Sequence, residues 1–157
     1  MLRQADPHIV LNYLSERFEI PPEPFKGYIF FETGRSIWMI TSTTADPIVI
    51  KSIKMKRIEF PGIRILRKVG RHLKPTTYAL QLFGHQASKH TVELSRQELT
   101  ELLERGFIER ANPSWQDGYI IAFYKGTVLG CLLYRGGRLK HQFPRGRTVA
   151  LVKSGLY

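Results

Sequence analysis

One cysteine, Cys131, stands in 157 residues. A single thiol cannot close an internal disulfide, and it excludes a zinc site built from several thiolates. Its neighbours Leu129, Leu132 and Leu133 are apolar, so a buried, inert thiol is expected. The histidines His8, His72, His85, His90 and His141 have no metal-ligand spacing, and no metal site is expected. No apolar run reaches the length of a membrane span. The opening Met1–Pro7 lacks the apolar stretch of a secretory signal, so a soluble cytoplasmic protein is expected. The sequence has no glycine-rich phosphate loop leading into a helix and no Gly-x-Ser-x-Gly elbow. No cofactor and no catalysis are expected.

Acid is scarce in two places. From Lys56 to His90 the basic residues Lys56, Arg57, Arg64, Arg67, Lys68, Arg71, Lys74 and Lys89 face Glu59 alone. After Asp117 there is no acid, while Lys125, Arg135, Arg138, Lys140, Arg145, Arg147 and Lys153 follow. Between these blocks the sign reverses, with Glu93, Glu98, Glu101, Glu104 and Glu109. The first 55 residues are balanced. The net charge of +11 is therefore segregated, and segregation points to one basic face and a polyanionic partner bound by counterion release.

Hydrophobic residues make up 43% of the chain, enough for a packed core. Asp6-Pro7 reads as an N-cap and first helical residue, and Val10, Leu11, Leu14 and Phe18 recur at helical spacing. Tyr28–Phe31 and Ile37–Ile40 read as strands around Thr33-Gly34, with a loop over Thr41–Pro47. Ile48–Ile53 reads as a short strand or connection, and Ile63–Leu66 as β-like after Pro61-Gly62. A short helix is expected within Thr76–Ala87, stopped near Gly84.

Ser95-Arg96-Gln97-Glu98 is a capping-box pattern. Leu99, Leu102, Leu103 and Phe107 follow it, with Gly106 suited to the C-cap. Tyr119–Tyr124, Val128–Tyr134 and Leu139–Phe143 read as a meander turning at Lys125-Gly126 and Gly136-Gly137. A basic turn over Pro144–Arg147 and a last strand over Thr148–Val152 complete it. The fold class is α+β, a mixed α/β N-terminal half (1–90) packed on a β-rich C-terminal module (91–157).

The segments Gly118–Gly130 and Lys140–Gly146, the glycine–basic strand Gly62–Gly70 and the Lys-Pro segment Leu73–Gln81 together resemble the PUA-like region of Nop/Sun-type RNA cytosine methyltransferases. Small ribosome biogenesis proteins share this arrangement without the methyltransferase domain. The resemblance spans roughly residues 25–152. It implies a PUA-like β-barrel and binding of structured RNA: ribosomal RNA or a pre-ribosomal particle, with tRNA an alternative. A separate RNA methyltransferase is an implied partner, and a membrane is not. The family's catalytic cysteine follows a proline, whereas Cys131 follows Gly130, and the chain is too short to add a Rossmann-like domain.

Two groups of RNA-binding candidates result. Arg64, Arg67, Lys68, Arg71 and Lys74 form the first, with Arg64 projecting from a strand and Arg71 and Lys74 on a loop. Lys125, Arg135, Arg138, Lys140, Arg145 and Arg147 form the second, clustered at hairpin ends. Gly130 either lets an RNA backbone approach or serves packing. Tyr78, Tyr119, Tyr124, Tyr134 and Phe143 are candidates for base stacking, with Tyr134 the expected exposed ring; Trp38 is read as core. A different reading makes the chain an adaptor whose acidic helix docks a basic protein through Glu98, Glu101 and Glu104.

Overall fold

The computed structural model describes residues 2–43, 47–55 and 62–154. Over these described residues the fold is α+β, with two five-stranded sheets. The first sheet runs in chain order through β1 (Arg3–Gln4), β2 (Tyr28–Glu32), β3 (Ser36–Thr41), β4 (Ile63–Val69) and β5 (His72–Pro75), all antiparallel. Helix α1 (Pro7–Phe18) lies between β1 and β2. Its Asp6 cap accepts from the His8 N–H at 2.9 Å, and it buries Val10, Leu14 and Phe18. That triplet is the helical spacing visible in the sequence.

The second sheet has the order β6-β8-β9-β10-β7, from β6 (Thr91–Glu93), β7 (Phe107–Glu109), β8 (Gly118–Tyr124), β9 (Thr127–Arg135) and β10 (Arg138–His141). Strand β6 is parallel to β8, and the other pairs are antiparallel. Helix α4 (Arg96–Arg105) connects β6 to β7. Both halves of its capping box are made, and Gly106 closes it at φ 85°. The meander over β8, β9 and β10 matches the sequence reading. The short β6 and β7 were not legible: three residues are too few to show an alternation.

Both faces of β8 and β9 are covered. Ile120, Leu132 and Leu139 pack with Leu99 and Leu102 of α4. Ile121, Val128 and Cys131 join the core of the first sheet, with Phe18, Leu66, Leu80 and Phe83. A strand buried on both sides reads as a continuous apolar run, which explains Tyr119–Tyr124. Helix α3 (Thr77–Phe83) sits between the sheets and buries Ala79, Leu80 and Phe83. Arg17 ties α1 to the start of β8. Its guanidinium donates to the carbonyls of Tyr119 (2.9 Å), Asp117 (3.1 Å) and Gln116 (2.9 Å).

Two expectations are corrected. Ile48–Ile53, read as a short strand or connection, lies in helix α2 (Pro47–Lys54). The turn read over Pro144–Arg147 and the last strand read over Thr148–Val152 are instead covered, from Arg145 on, by helix α5 (Arg145–Ser154). Both contain β-branched runs whose weak local preference is overridden by context. In each case a proline at or just before the first turn was the legible helix signal. Ile63–Leu66 lies in β4 as read, and Pro61, just before it, lies outside the described residues. Among the described residues, no helix is long and apolar enough to cross a membrane.

Candidate nucleic-acid interface

Where the two sheets meet, β4, β5, α3 and the segment after β10 enclose an open groove of about 1120 Å³. Its charged lining is Arg64, Arg67 and Lys74; no carboxylate lines it among the described residues. Trp38, Tyr78, Leu82 and Phe143 supply apolar surface, and Gln81, His141 and Gln142 supply polar groups.

A β-bulge arranges the two arginines. Residues three apart on a regular strand point to opposite faces. The pairing of β3 with β4 slips between Ile37 and Trp38: Trp38 faces Arg64, whereas Ile37 faces Leu66. Ile65 is the extra residue. Ile65 and Leu66 are both buried, and Arg64 and Arg67 both reach the groove. The Arg64 guanidinium lies 5.7 Å from the Trp38 ring centroid, within cation–π range.

Lys74 is held from two sides. Its Nζ donates to Gln142 Oε1 at 2.9 Å and lies 5.8 Å from the Tyr119 ring centroid. It stands on β5 rather than on the expected loop, and only Arg71 occupies the turn. Burial raises the Tyr119 phenol pKa, with Cys131 adding to the rise, while Arg135 and Arg67 pull it down. The start of α3 is fixed by the Thr76 hydroxyl, which donates to the Arg64 carbonyl at 2.7 Å and accepts from the Ala79 N–H at 3.2 Å.

The remaining sequence candidates separate. Lys68 leaves the first group: its Nζ donates to Glu32 Oε2 at 2.8 Å, and Glu32 also holds Arg3 at 2.7 Å. That pairing holds the Glu32 carboxyl below its ordinary pKa. The second group does not converge on one site. Lys125 sits at the β8–β9 turn over Tyr124, at 5.3 Å. Arg138 bridges Glu109 at 2.8 Å and stacks on Phe107, with Arg105 on the same ring. Lys140 and Arg145 are exposed on β10 and α5.

Arg147 turns inward from α5. It donates to the carbonyls of Leu129 (3.2 Å) and Val128 (3.3 Å). A second bulge lies here: Ala122 faces Gly130 and Phe123 faces Val128, which leaves Leu129 without an opposite residue. Arg147 thus fastens α5 to the bulged stretch of β9.

Tyr134, expected to be the exposed ring, is buried at 7%. It faces α4 with Leu132, packs edge-on against Trp115 at 5.3 Å and lies under Asn112. Gly130 is a packing glycine. It adopts φ 148°, and a Cβ there would sit 2.9 Å from the Phe143 ring. Phe143 and Tyr124 are buried too, so of the stacking candidates Tyr78, 70% exposed, is the open one. Trp38, read as core, is half-buried and lines the groove.

His141 and Gln142 lie in the Lys140–Gly146 segment that carried the resemblance, but neither was singled out as a binding residue, since neither has a fixed charge. For Tyr78 the signal was present: it and Leu82 share the face of α3 opposite Ala79, Leu80 and Phe83. The acidic helix is largely engaged within the fold. Glu98 is taken by Arg110 and the capping box, and Glu101 by Arg105. Cys131 is buried as expected, its thiol pushed up to about 12 by burial.

Comparison with known proteins places these features. Residues 89–149 match the model of the methyltransferase RsmF PUA domain, which covers β6 to the first half of α5. Residues 3–54 match a family of unknown function, DUF7122. A curated relative, the ribosomal RNA small subunit methyltransferase F of Psychromonas ingrahamii, is 25% identical over 140 residues. That alignment takes in 85% of this chain and 27% of the relative, so the chain spans about a quarter of the relative's length. The C-terminal sheet with α4 is thus a PUA domain of the RsmF type, as the resemblance implied. The matching model is that of the PUA domain and not of the catalytic methyltransferase domain.

Proposed function

We propose that a PUA domain of this type, joined to the N-terminal sheet, makes the chain a non-catalytic RNA-binding protein that holds structured RNA against the cationic groove. Ribosomal RNA is the class suggested by the relative's name, in ribosome biogenesis or in rRNA or tRNA modification, and a separate RNA methyltransferase is a fitting partner. The observation that carries the reading is a concave surface with Arg64, Arg67 and Lys74 in its lining and no acid among the described residues. Such a surface attracts phosphate and steers a polyanion toward it. The rest of the molecule supports it by exclusion, since Lys68, Arg138 and Arg147 are engaged within the fold.

The test is titration against structured ribosomal RNA fragments and matched duplex DNA at several salt concentrations. RNA binding that weakens with salt, with DNA weaker by about tenfold, is expected. Arg67→Gln and Lys74→Gln should each weaken binding and lower the salt slope by about one. Equal, weak binding to both polymers, unchanged in these variants, would show that the charge is generic.

A further inference from the structure

We propose that the groove accepts an unpaired stretch of RNA rather than a duplex, with one base stacked on Tyr78. This deepens the RNA reading and rests on it. Cations alone would suffice for phosphates, yet the groove also presents large apolar groups. Tyr78 is 70% exposed and Leu82, one turn along the same face of α3, is 52% exposed. Ile63 adds a third apolar group from β4, 42% exposed. Together they line the same concavity as Arg64, Arg67 and Lys74.

A paired helix offers sugars and phosphates to such a surface and keeps its base faces stacked inside. It would leave Tyr78 and Leu82 facing water. An unpaired strand has both chemistries, phosphates for the β4–β5 cations and free base faces for α3. Stacking on an aromatic ring tolerates any base, so the site selects for lack of pairing before sequence. Charge also chooses the occupant over an apolar peptide: three cations without a carboxylate, among the described residues, fit a polyanion.

The test uses fluorescence anisotropy with a labelled single-stranded RNA of mixed sequence and the same RNA annealed to its complement. The single strand should bind at least tenfold more tightly. Tyr78→Ala should weaken single-strand binding by about tenfold without changing the salt slope, and Tyr78→Phe should retain it. Because Tyr78 is exposed on a helix, the alanine variant should keep the wild-type melting temperature, which circular dichroism checks. Duplex binding equal to single-strand binding, with Tyr78→Ala unaffected, would overturn the inference and leave the RNA reading standing. Failure of both RNAs to bind at low salt would overturn both.

Discussion

His90 links to Arg17 through its ring: Nδ1 donates to the Arg17 carbonyl at 2.6 Å, while Nε2 accepts from the Gln116 N–H at 3.1 Å. The two bonds specify a neutral ring. A protonated imidazole has no acceptor left for Gln116. The ring is 3% exposed, and burial lowers its pKa, opposed by the bond to Arg17.

The pH dependence of folding follows from that sign. The unfolded chain binds this proton at higher pH than the folded one. The stability that His90 contributes is therefore complete above about pH 6.5 and is lost as pH falls toward the lower folded value. Urea unfolding at pH 7.5 and pH 5.5 should show lower stability at the acid side. His90→Asn should lower stability at pH 7.5 and reduce the difference between the two pH values. Asparagine tolerates the φ of 54° found here and does not titrate. His141, whose pKa is lowered by burial and then by Lys140, contributes with the same sign and supplies the remainder.

Arg147 should behave as a structural residue. Arg147→Ala removes two charge-assisted bonds to the β9 bulge and should cost about 1.5–3 kcal/mol in chemical denaturation. Arg145→Ala, an exposed change two residues away, should alter stability by about 0.5 kcal/mol or less. Equal effects of the two would refute the assignment.

Gly130→Ala should destabilise by about 2 kcal/mol or more. The new methyl meets Phe143 at 2.9 Å on a backbone with φ 148°. Thermal melting measures the loss. Adding Phe143→Leu should restore part of it, because that change relieves the contact and leaves the backbone strain.

Lys68 and Arg67 are neighbours in sequence and should differ in effect. Lys68→Ala should lower stability by about 1 kcal/mol through its pairing with Glu32 and leave RNA affinity within about twofold. Arg67→Ala should leave stability nearly unchanged and weaken RNA binding. A matching loss of affinity in both would return Lys68 to the interface.

What the sequence revealed was what neighbouring residues decide. The capping box of α4 spans four residues, and each partner of the pair is visible at its offset. The glycine turns at Lys125-Gly126 and Gly136-Gly137 likewise declare the meander. The groove is assembled otherwise. Trp38, Arg67, Tyr78 and Gln142 come from four distant segments, and their meeting depends on sheet order. The bulge at Ile65 reverses the alternation rule that would separate Arg64 from Arg67. Tyr134 looked exposed beside Arg135, but the strand places the two on opposite faces, and only Arg135 reaches solvent.

The groove is walled by both sheets, with Arg64, Arg67 and Lys74 on one side of the seam and His141 to Pro144 on the other. A guest lodged there would act as a keystone. Its binding energy would add to the cohesion of the two sheets, and a chain saturated with its ligand should resist heat better than the empty one. By reciprocity, loosening the seam at a remote point such as Arg17 should weaken the guest's hold, although Arg17 is not among the residues lining the groove.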